Sequence, residues 1–356
     1  MAMARNKDDK LRIGIIGLGI GQAHIKGYRK VPNVEIVALC DVNEERAQNA
    51  AREFHLNEAT VYTDYRAMLD KANLDAVSVG LPNYLHRAVT IDCLNAGIHV
   101  LCEKPLAMNA KEAQKIVEAA AINKRKCMVG QVSRFRSDSQ YLKQLVSSGE
   151  LGRPYYSHTG WLRKRGIPGY GGWFTTKEQS GGGPLIDIGV HLLDMAWWLC
   201  GCPNPITASG VTYAEFGPRG KGLGNWSADK EPEGTFNVED LAVALIRFEN
   251  GLTINLEVSW AIHSNKSHQW CQVFGTEGGC DWGEEPAIHR ELHGASVSGK
   301  IDIGKGDPWQ NEMQHFVDCI LHNRTPDPDA VQGVTMMKML DAIYKSAETG
   351  REVLIK

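Results

Sequence analysis

Short apolar runs alternate with amphipathic segments over the first part of the chain. The run holding Ile13, Ile15 and Ile16 leads into a glycine-rich turn, and a helical pattern starts at Gln22. Val34–Cys40, Val61–Tyr62, Ala76–Gly80, Ile98–Cys102 and Lys126–Gly130 predict further strands. Asn43–Phe54, Asp64–Lys71, Tyr84–Ala96, Asn109–Asn123 and Ser137–Ser148 predict the helices between them. Apolar strands separated by helices imply a parallel sheet covered on both faces, the doubly wound α/β class. Ligands in such sheets sit beyond the carboxyl ends of the strands, so chemistry is expected just after these runs.

Beyond Gly152 the pattern changes. Tyr155–Trp161, Ile206–Phe216, Leu241–Phe248, Leu252–Trp260 and Gln269–Phe274 predict longer strands in a mostly antiparallel sheet. Glu249-Asn-Gly251 predicts a hairpin turn, and Leu185–Leu199 predicts one helix that interrupts the strands. Pro308–His322 and Ala330–Glu348 predict two closing helices, and Glu352–Ile355 could add a strand or pack on either domain. Gly217–Asn237 and Gly294–Asp307 read as loops, the first long enough to serve as a lid or interface. With 356 residues, the expectation is two domains, 1–133 and 134–356.

The turn after the first strand carries Gly17, Gly19 and Gly21. A strand turning into a helix leaves backbone N–H groups unpaired at the positive end of the helix dipole, where phosphate is attracted. Glycine allows the tight turn and close approach of a pyrophosphate. The spacing is one residue shorter than the common G-x-G-x-x-G and is a weak signal alone. Asp41 strengthens it, ending the second strand 24 residues after Gly17, where an acid can bond a ribose hydroxyl. Its bland role is to cap the helix that starts at Glu44. A carboxylate there repels a 2′-phosphate and favours NAD over NADP, although Arg46 blurs that preference.

Composition narrows the partners. A formal charge of −3 argues against nucleic acid. No apolar run approaches the ~20 residues that cross a bilayer, and the polar N-terminus lacks a signal-peptide core. Nine cysteines, mostly in apolar settings, suit reduced thiols and a cytoplasmic protein. Cys200-Gly-Cys202 has no matching Cys/His pair nearby, so no metal is expected.

Three strand ends and one helix carry the candidate chemistry. Glu103-Lys104-Pro105 follows the strand ending at Cys102. The proline holds Lys104 extended, which can aim its side chain off the strand; the alternative is a solvated loop lysine. Asn83, after Pro82, either caps the next helix or reaches the nicotinamide. His86 either orients that loop or is structural. Gln131 and Arg134 lie at the last strand end, within reach of cofactor or domain interface. Asp187 and His191 share a helix face at i, i+4, and Asp194 follows at i+3 from the histidine. A histidine between carboxylates can be a tuned base near neutral pH, or a hydrogen-bonded residue packed on a sheet. Gly189 inside that helix implies close approach by a strand or ligand. Arg163, Tyr170 and Trp173 lie in stretches that mix aromatic and guanidinium groups, suited to a sugar or to an interface.

GLGIGQAH (17–24), CDVNEERA (40–47), PNYLH (82–86), CEKPLAM (102–108) and GGGPLIDIGVHLLD (181–194) together resemble the Gfo/Idh/MocA oxidoreductases, the family of glucose–fructose oxidoreductase and inositol dehydrogenase. The resemblance implies a Rossmann domain binding NAD(P) and a second α/β domain with an open, mostly antiparallel sheet. It implies that Lys104 and His191 assist proton removal from a sugar or cyclitol hydroxyl, with Asp187 supporting them. It also implies a homodimer or homotetramer built through the open sheet. The expected cofactor set is Gly17, Gly19, Ile20, Gly21, Asp41, Pro82, Asn83, His86, Glu103, Lys104 and Gln131. The expected substrate set is Lys104, Arg163, Tyr170, Trp173, Asp187 and His191. The leading reading is an NAD-dependent dehydrogenase of a sugar, glycoside or inositol. An NAD-retaining glycosidase or lyase and a non-catalytic NAD-binding redox sensor are the alternatives.

Overall fold

The computed structural model describes residues 10–224 and 233–356. The chain divides into two compact units, each continuous in space but not in sequence. The first holds residues up to 107, 111–135 and 306–334; the second holds 108–110, 136–305 and 335–356.

The first unit is a six-stranded parallel sheet made of β1 (Leu11–Ile16), β2 (Val34–Cys40), β3 (Thr60–Tyr62), β4 (Ala76–Val79), β5 (His99–Glu103) and β6 (Cys127–Gly130). Its order, β3-β2-β1-β4-β5-β6, is that of a dinucleotide-binding doubly wound fold. The central strands are buried on both faces, which is why they read as unbroken apolar runs. Helices α1 (Gly21–Tyr28), α2 (Glu44–Glu53), α3 (Tyr65–Lys71), α4 (Asn83–Asn95) and α5 (Ala110–Asn123) connect them. Local chemistry sets several of their starts. Asn43 caps α2 by accepting from the Arg46 N–H, and Asp64 caps α3 by accepting from the Arg66 N–H. The cap of α2 is thus Asn43, not Asp41. At α4 the cap position is Pro82, which offers no side-chain acceptor, and Asn83 lies inside the helix, buried.

The second unit carries α6 (Ser137–Ser147), α7 (Lys177–Ser180), α8 (Val190–Leu199) and a nine-stranded sheet. Its strands are β7 (Pro154–Leu162), β8 (Pro205–Tyr213), β9 (Leu241–Phe248), β10 (Thr253–Ser259), β11 (His268–Gly275), β12 (Gly279–Gly283), β13 (Ala287–Leu292), β14 (Ala295–Lys300) and β15 (Val353–Leu354). Only β7 and β10 pair in parallel; every other pairing is antiparallel. Burial alternates along β9 and β10, and α8 packs on β7, β10 and β11. The hairpin expected at Glu249–Gly251 closes with the Gly251 N–H on the Phe248 carbonyl and Gly251 at φ 82°. The hairpin β13–β14 replaces the first half of the loop expected at Gly294–Asp307. Its strands are half-exposed or exposed throughout, so no apolar alternation marks them. His293 and Gly294, both at positive φ, make its two-residue turn. Within Gly217–Asn237, residues 225–232 lie outside the described residues.

Two closing helices follow, α9 (Pro308–Leu321), in the first unit, and α10 (Ala330–Thr349). Asp307 caps α9 through the Trp309 and Gln310 N–H groups, with Pro308 in the first turn. α9 packs on α1 so tightly that a Cβ at Gly27 would lie 2.7 Å from the Trp309 carbonyl oxygen. This packing buries Glu312 completely, and neither of its carboxyl oxygens has a hydrogen-bond partner among the described residues. Burial, then the nearby charge of Glu103, pushes the Glu312 carboxyl well above the ordinary range. Between the ordinary carboxyl value and that raised value, the unfolded chain has released a proton that the native state keeps. Stability therefore falls as pH rises through that window. Glu312→Gln is expected to raise stability at pH 8, on the order of 1–3 kcal/mol, with the gain vanishing near pH 4. Thermal melts across pH check this, and identical pH dependence in both proteins would contradict it.

Candidate active site

In the first unit the turn after β1 is shaped by its glycines. Gly17 has φ 86°, and a Cβ there would lie 2.4 Å from the Gly80 carbonyl oxygen. A Cβ at Gly19 would instead point into open space. Gly21 begins α1 and packs on Ile15, and no side chain caps the helix at Ile20, which is 41% exposed. The tip thus offers a helix N-terminus that can be approached closely. Asp41 braces the same turn. One of its carboxylate oxygens accepts from the Leu18 N–H at 2.9 Å and the other from the Asn43 N–H at 2.9 Å. The Arg46 guanidinium stands 3.4 Å away. The carboxylate is held rigidly at the strand end, with Arg46 offsetting part of its charge.

The ends of β4, β5 and β6 add further groups. His86 is fully buried, with Nδ1 2.7 Å from the Pro105 carbonyl and Nε2 2.7 Å from the Leu81 carbonyl. Two carbonyl acceptors require both ring nitrogens to donate, so the ring is held as a cation. Burial pulls its pKa down, but Cys102 and the two carbonyls outweigh this and push it up to about 9. His86 ties the loop after β4 to the Glu-Lys-Pro turn and has no ring nitrogen left for a cofactor. Glu103 likewise turns inward. Its carboxylate meets His24 Nε2 at 2.9 Å and accepts from the Lys104 N–H at 3.2 Å. Both side chains thus direct polar atoms to protein partners. Between Leu101 and Ala107, Lys104 is the one residue that is not buried. Gln131, buried at the end of β6, keeps a side-chain oxygen without a partner among the described residues. Arg134 turns away to Asp327 at 2.6 Å and Gln332 at 2.7 Å.

The second unit builds its site on the segment that enters α8. Leu185–Gly189 forms a π-helical turn before the α-helix proper, where the pattern predicts one regular helix. The segment that leads into it is crowded. A Cβ at Gly183 would lie 1.9 Å from the Glu239 carbonyl oxygen, and one at Gly182 would strike the Tyr344 hydroxyl. The Glu239 carboxylate accepts from the Gly183 N–H at 2.9 Å, the Leu185 N–H at 3.1 Å and the Tyr344 hydroxyl at 2.9 Å. Burial pushes this carboxyl up, and the backbone donors and Tyr344 pull it back. Gly189 admits β10, since Val258 would lie 3.3 Å from a Cβ there. The close neighbour is a strand rather than a ligand.

From Gly182 to Cys200 every residue is buried except Asp187 and His191. The i, i+4 pair is the single opening in an otherwise enclosed helix. Asp194, expected to extend this stripe, is buried. Trp260, fully buried, donates its indole N–H to Asp187 Oδ2 at 2.9 Å and fixes that carboxylate. Arg163 lies over the Trp161 ring at 4.1 Å; burial lowers its pKa, and the charge of Asp187 opposes that shift. Tyr170 stacks on Phe236 at 6.0 Å and Trp173 on Phe174 at 3.8 Å, in the same unit. Glu239 and Trp260, which hold this helix, carry no motif signal.

Residues 11–131 match the family model described as an oxidoreductase family with an NAD-binding Rossmann fold, and residues 139–281 match the Gfo/Idh/MocA C-terminal domain. The chain belongs to the Gfo/Idh/MocA family of NAD-binding oxidoreductases. It is 33% identical over 348 residues to D-glucoside 3-dehydrogenase of Escherichia coli K12, covering 96% of this chain and 97% of that protein. It is 26% identical over 362 residues to inositol 2-dehydrogenase of Salmonella typhimurium, covering 97% of each. Its fold superposes with a TM-score of 0.86 on levoglucosan dehydrogenase in complex with NADH and levoglucosan, at 23% identity, covering 98% of this chain and all of that one.

The open space at Gly19, the uncapped start of α1 and the orphaned oxygen of Gln131 fit a dinucleotide. Asp41→Ser is expected to weaken NAD binding about tenfold, by loosening the turn, and to raise the NADP-to-NAD preference. Fluorescence titration with both reduced cofactors checks this, and an unchanged ratio would contradict the role given to Asp41.

Proposed function

We propose that this protein oxidises a secondary alcohol of a sugar, glycoside or cyclitol, with Lys104, Asp187 and His191 as its reacting groups. The observation that carries this is the selective exposure of those three side chains. Each is half-buried where its neighbours in sequence are buried. The relatives named above act on glucosides, inositol and levoglucosan, which sets the substrate class. His191 accepts the hydroxyl proton as general base, a role worth ~10²–10⁴ in rate. Lys104 donates a hydrogen bond to the substrate oxygen and stabilises its developing negative charge. Asp187, held by Trp260, orients its partners. Arg163, Tyr170 and Trp173 supply the aromatic and guanidinium surface that suits a polyol. Bound NAD supplies the two-electron acceptor.

Asp41 supports NAD over NADP, and Gly17, Gly19, Ile20, Gly21, Pro82, Asn83 and Gln131 form the rest of the proposed cofactor site. Nine cysteines that form no disulfide, eight of them buried, suit a reducing compartment such as the cytoplasm. The face of the large sheet away from α8 supports homo-oligomerisation. It carries Tyr156 stacked on Phe274 at 5.6 Å and His158 against Trp270 at 5.2 Å, all only half-buried. A second copy would cover these rings.

Lys104→Ala is expected to lower turnover at least about 100-fold while NAD binding is retained. Steady-state NADH formation with a panel of glucosides, inositols and free sugars measures it. Near-normal turnover would remove Lys104 from the chemistry. Substrate consumption without NADH accumulation would instead favour the NAD-retaining glycosidase or lyase.

A further inference from the structure

A groove of about 880 Å³ opens on the second unit, lined by Lys164, Arg165, Phe216, Lys221, His263 and Ser267 among others. Its size is that of a small-molecule site. Among the described residues no acidic side chain lines it, although the chain as a whole carries a formal charge of −3. Among the described residues no ion pair neutralises Lys164, Arg165 or Lys221. Three cations held together without a counter-charge repel one another and attract an anion.

The walls are fixed rather than loosely apposed. The Gly166 and Ile167 N–H groups both donate to the Gly222 carbonyl, at 3.1 and 3.0 Å. The Lys164 N–H donates to Ser267 Oγ at 3.1 Å, and Arg165 Nε donates to the Leu223 carbonyl at 2.7 Å. A Cβ at Gly222 would lie 2.5 Å from that of Ala261. The Phe216 and His263 rings meet at 4.8 Å and give one side an apolar and aromatic surface.

Two segments link the groove's lining to the residues around Asp187. Arg163, which senses the charge of Asp187, immediately precedes Lys164. Trp260, which holds Asp187, is three residues before His263. The Arg163 N–H donates to the Ser259 carbonyl, so the two segments are paired where they leave the strands.

We propose that this groove binds an oxyanion substituent, a phosphate or a carboxylate, carried by the substrate away from the carbon that is oxidised. The placement of that anion on the substrate rests on the sugar-oxidation reading; the anion site itself does not. The groove selects sugar phosphates or uronic acids over the neutral sugars of the same ring.

The test uses the full-length protein and the double variant Lys164→Glu/Lys221→Glu. Calorimetry with inorganic phosphate is expected to show binding to the parent and loss of at least tenfold in affinity in the variant. Equal binding, or none to either protein, overturns the anion site whatever the enzyme oxidises. In turnover with NAD, glucose 6-phosphate and glucuronate are compared with glucose. One of the two anions is expected to exceed glucose in kcat/KM about tenfold or more at low salt, and the better of them identifies the substituent. The preference shrinks as salt rises and vanishes in the variant, whose kcat/KM for glucose stays unchanged. Glucose turned over as well as both anions overturns the substrate placement. Lysine-dependent phosphate binding with no sugar oxidised retains the anion site and defeats the sugar reading instead.

Discussion

The Glu239 carboxylate, with three donors around it, fixes the entrance to the helix on which the proposed chemistry of the second unit rests. Without it, the backbone N–H groups of Gly183 and Leu185 would be buried without partners, each at a cost of about 1–3 kcal/mol. The glycines at 182 and 183 are required because Tyr344 and Glu239 press where side chains would be. The π turn, with Trp260 bonded to Asp187, leaves two polar side chains as the only opening in an apolar helix. A buried helix could hardly expose a base more selectively, since packing on every other side locks the rotamers around it.

The first unit solves a different problem with similar means. A cofactor turn must stay open at its tip yet rigid at its base. Gly19 leaves the tip clear, while Asp41 and the contact of Gly17 with Gly80 pin the base. Behind the Glu-Lys-Pro turn, His86 and Glu103 spend their polar atoms on the protein itself. His86 joins two loops as a buried cation, and Glu103 pairs with His24 and the Lys104 N–H. These contacts set where the backbone of Lys104 lies.

What the sequence reveals follows from what each element buries. The parallel strands are legible because both faces are covered, leaving unbroken apolar runs such as Ala76–Val79. The strands β9 and β10 are legible by alternation, and their turn by Asn250-Gly251. The hairpin β13–β14 is not, because it covers no core and its composition is that of a loop. Asn83 and Asp194 mislead for a related reason: a residue type suited to a cap or a polar stripe says nothing about which neighbour will bury it. The site's supports are invisible locally. Trp260 lies 73 residues from Asp187, and Glu239 lies 56 from Gly183, so only the folded sheet brings them together. The π turn is hidden too, because the residues of Leu185–Gly189 read as one regular helix with those that follow.

The central claim is that the His191 imidazole, half-buried on an otherwise buried helix, takes the proton from the substrate hydroxyl. Chemical rescue of His191→Ala measures this most directly. The account predicts that the variant binds NAD, turns over at most about one hundredth as fast as the parent, and regains activity in proportion to added free imidazole base. A variant that oxidises its sugar at the parent rate without imidazole would contradict it.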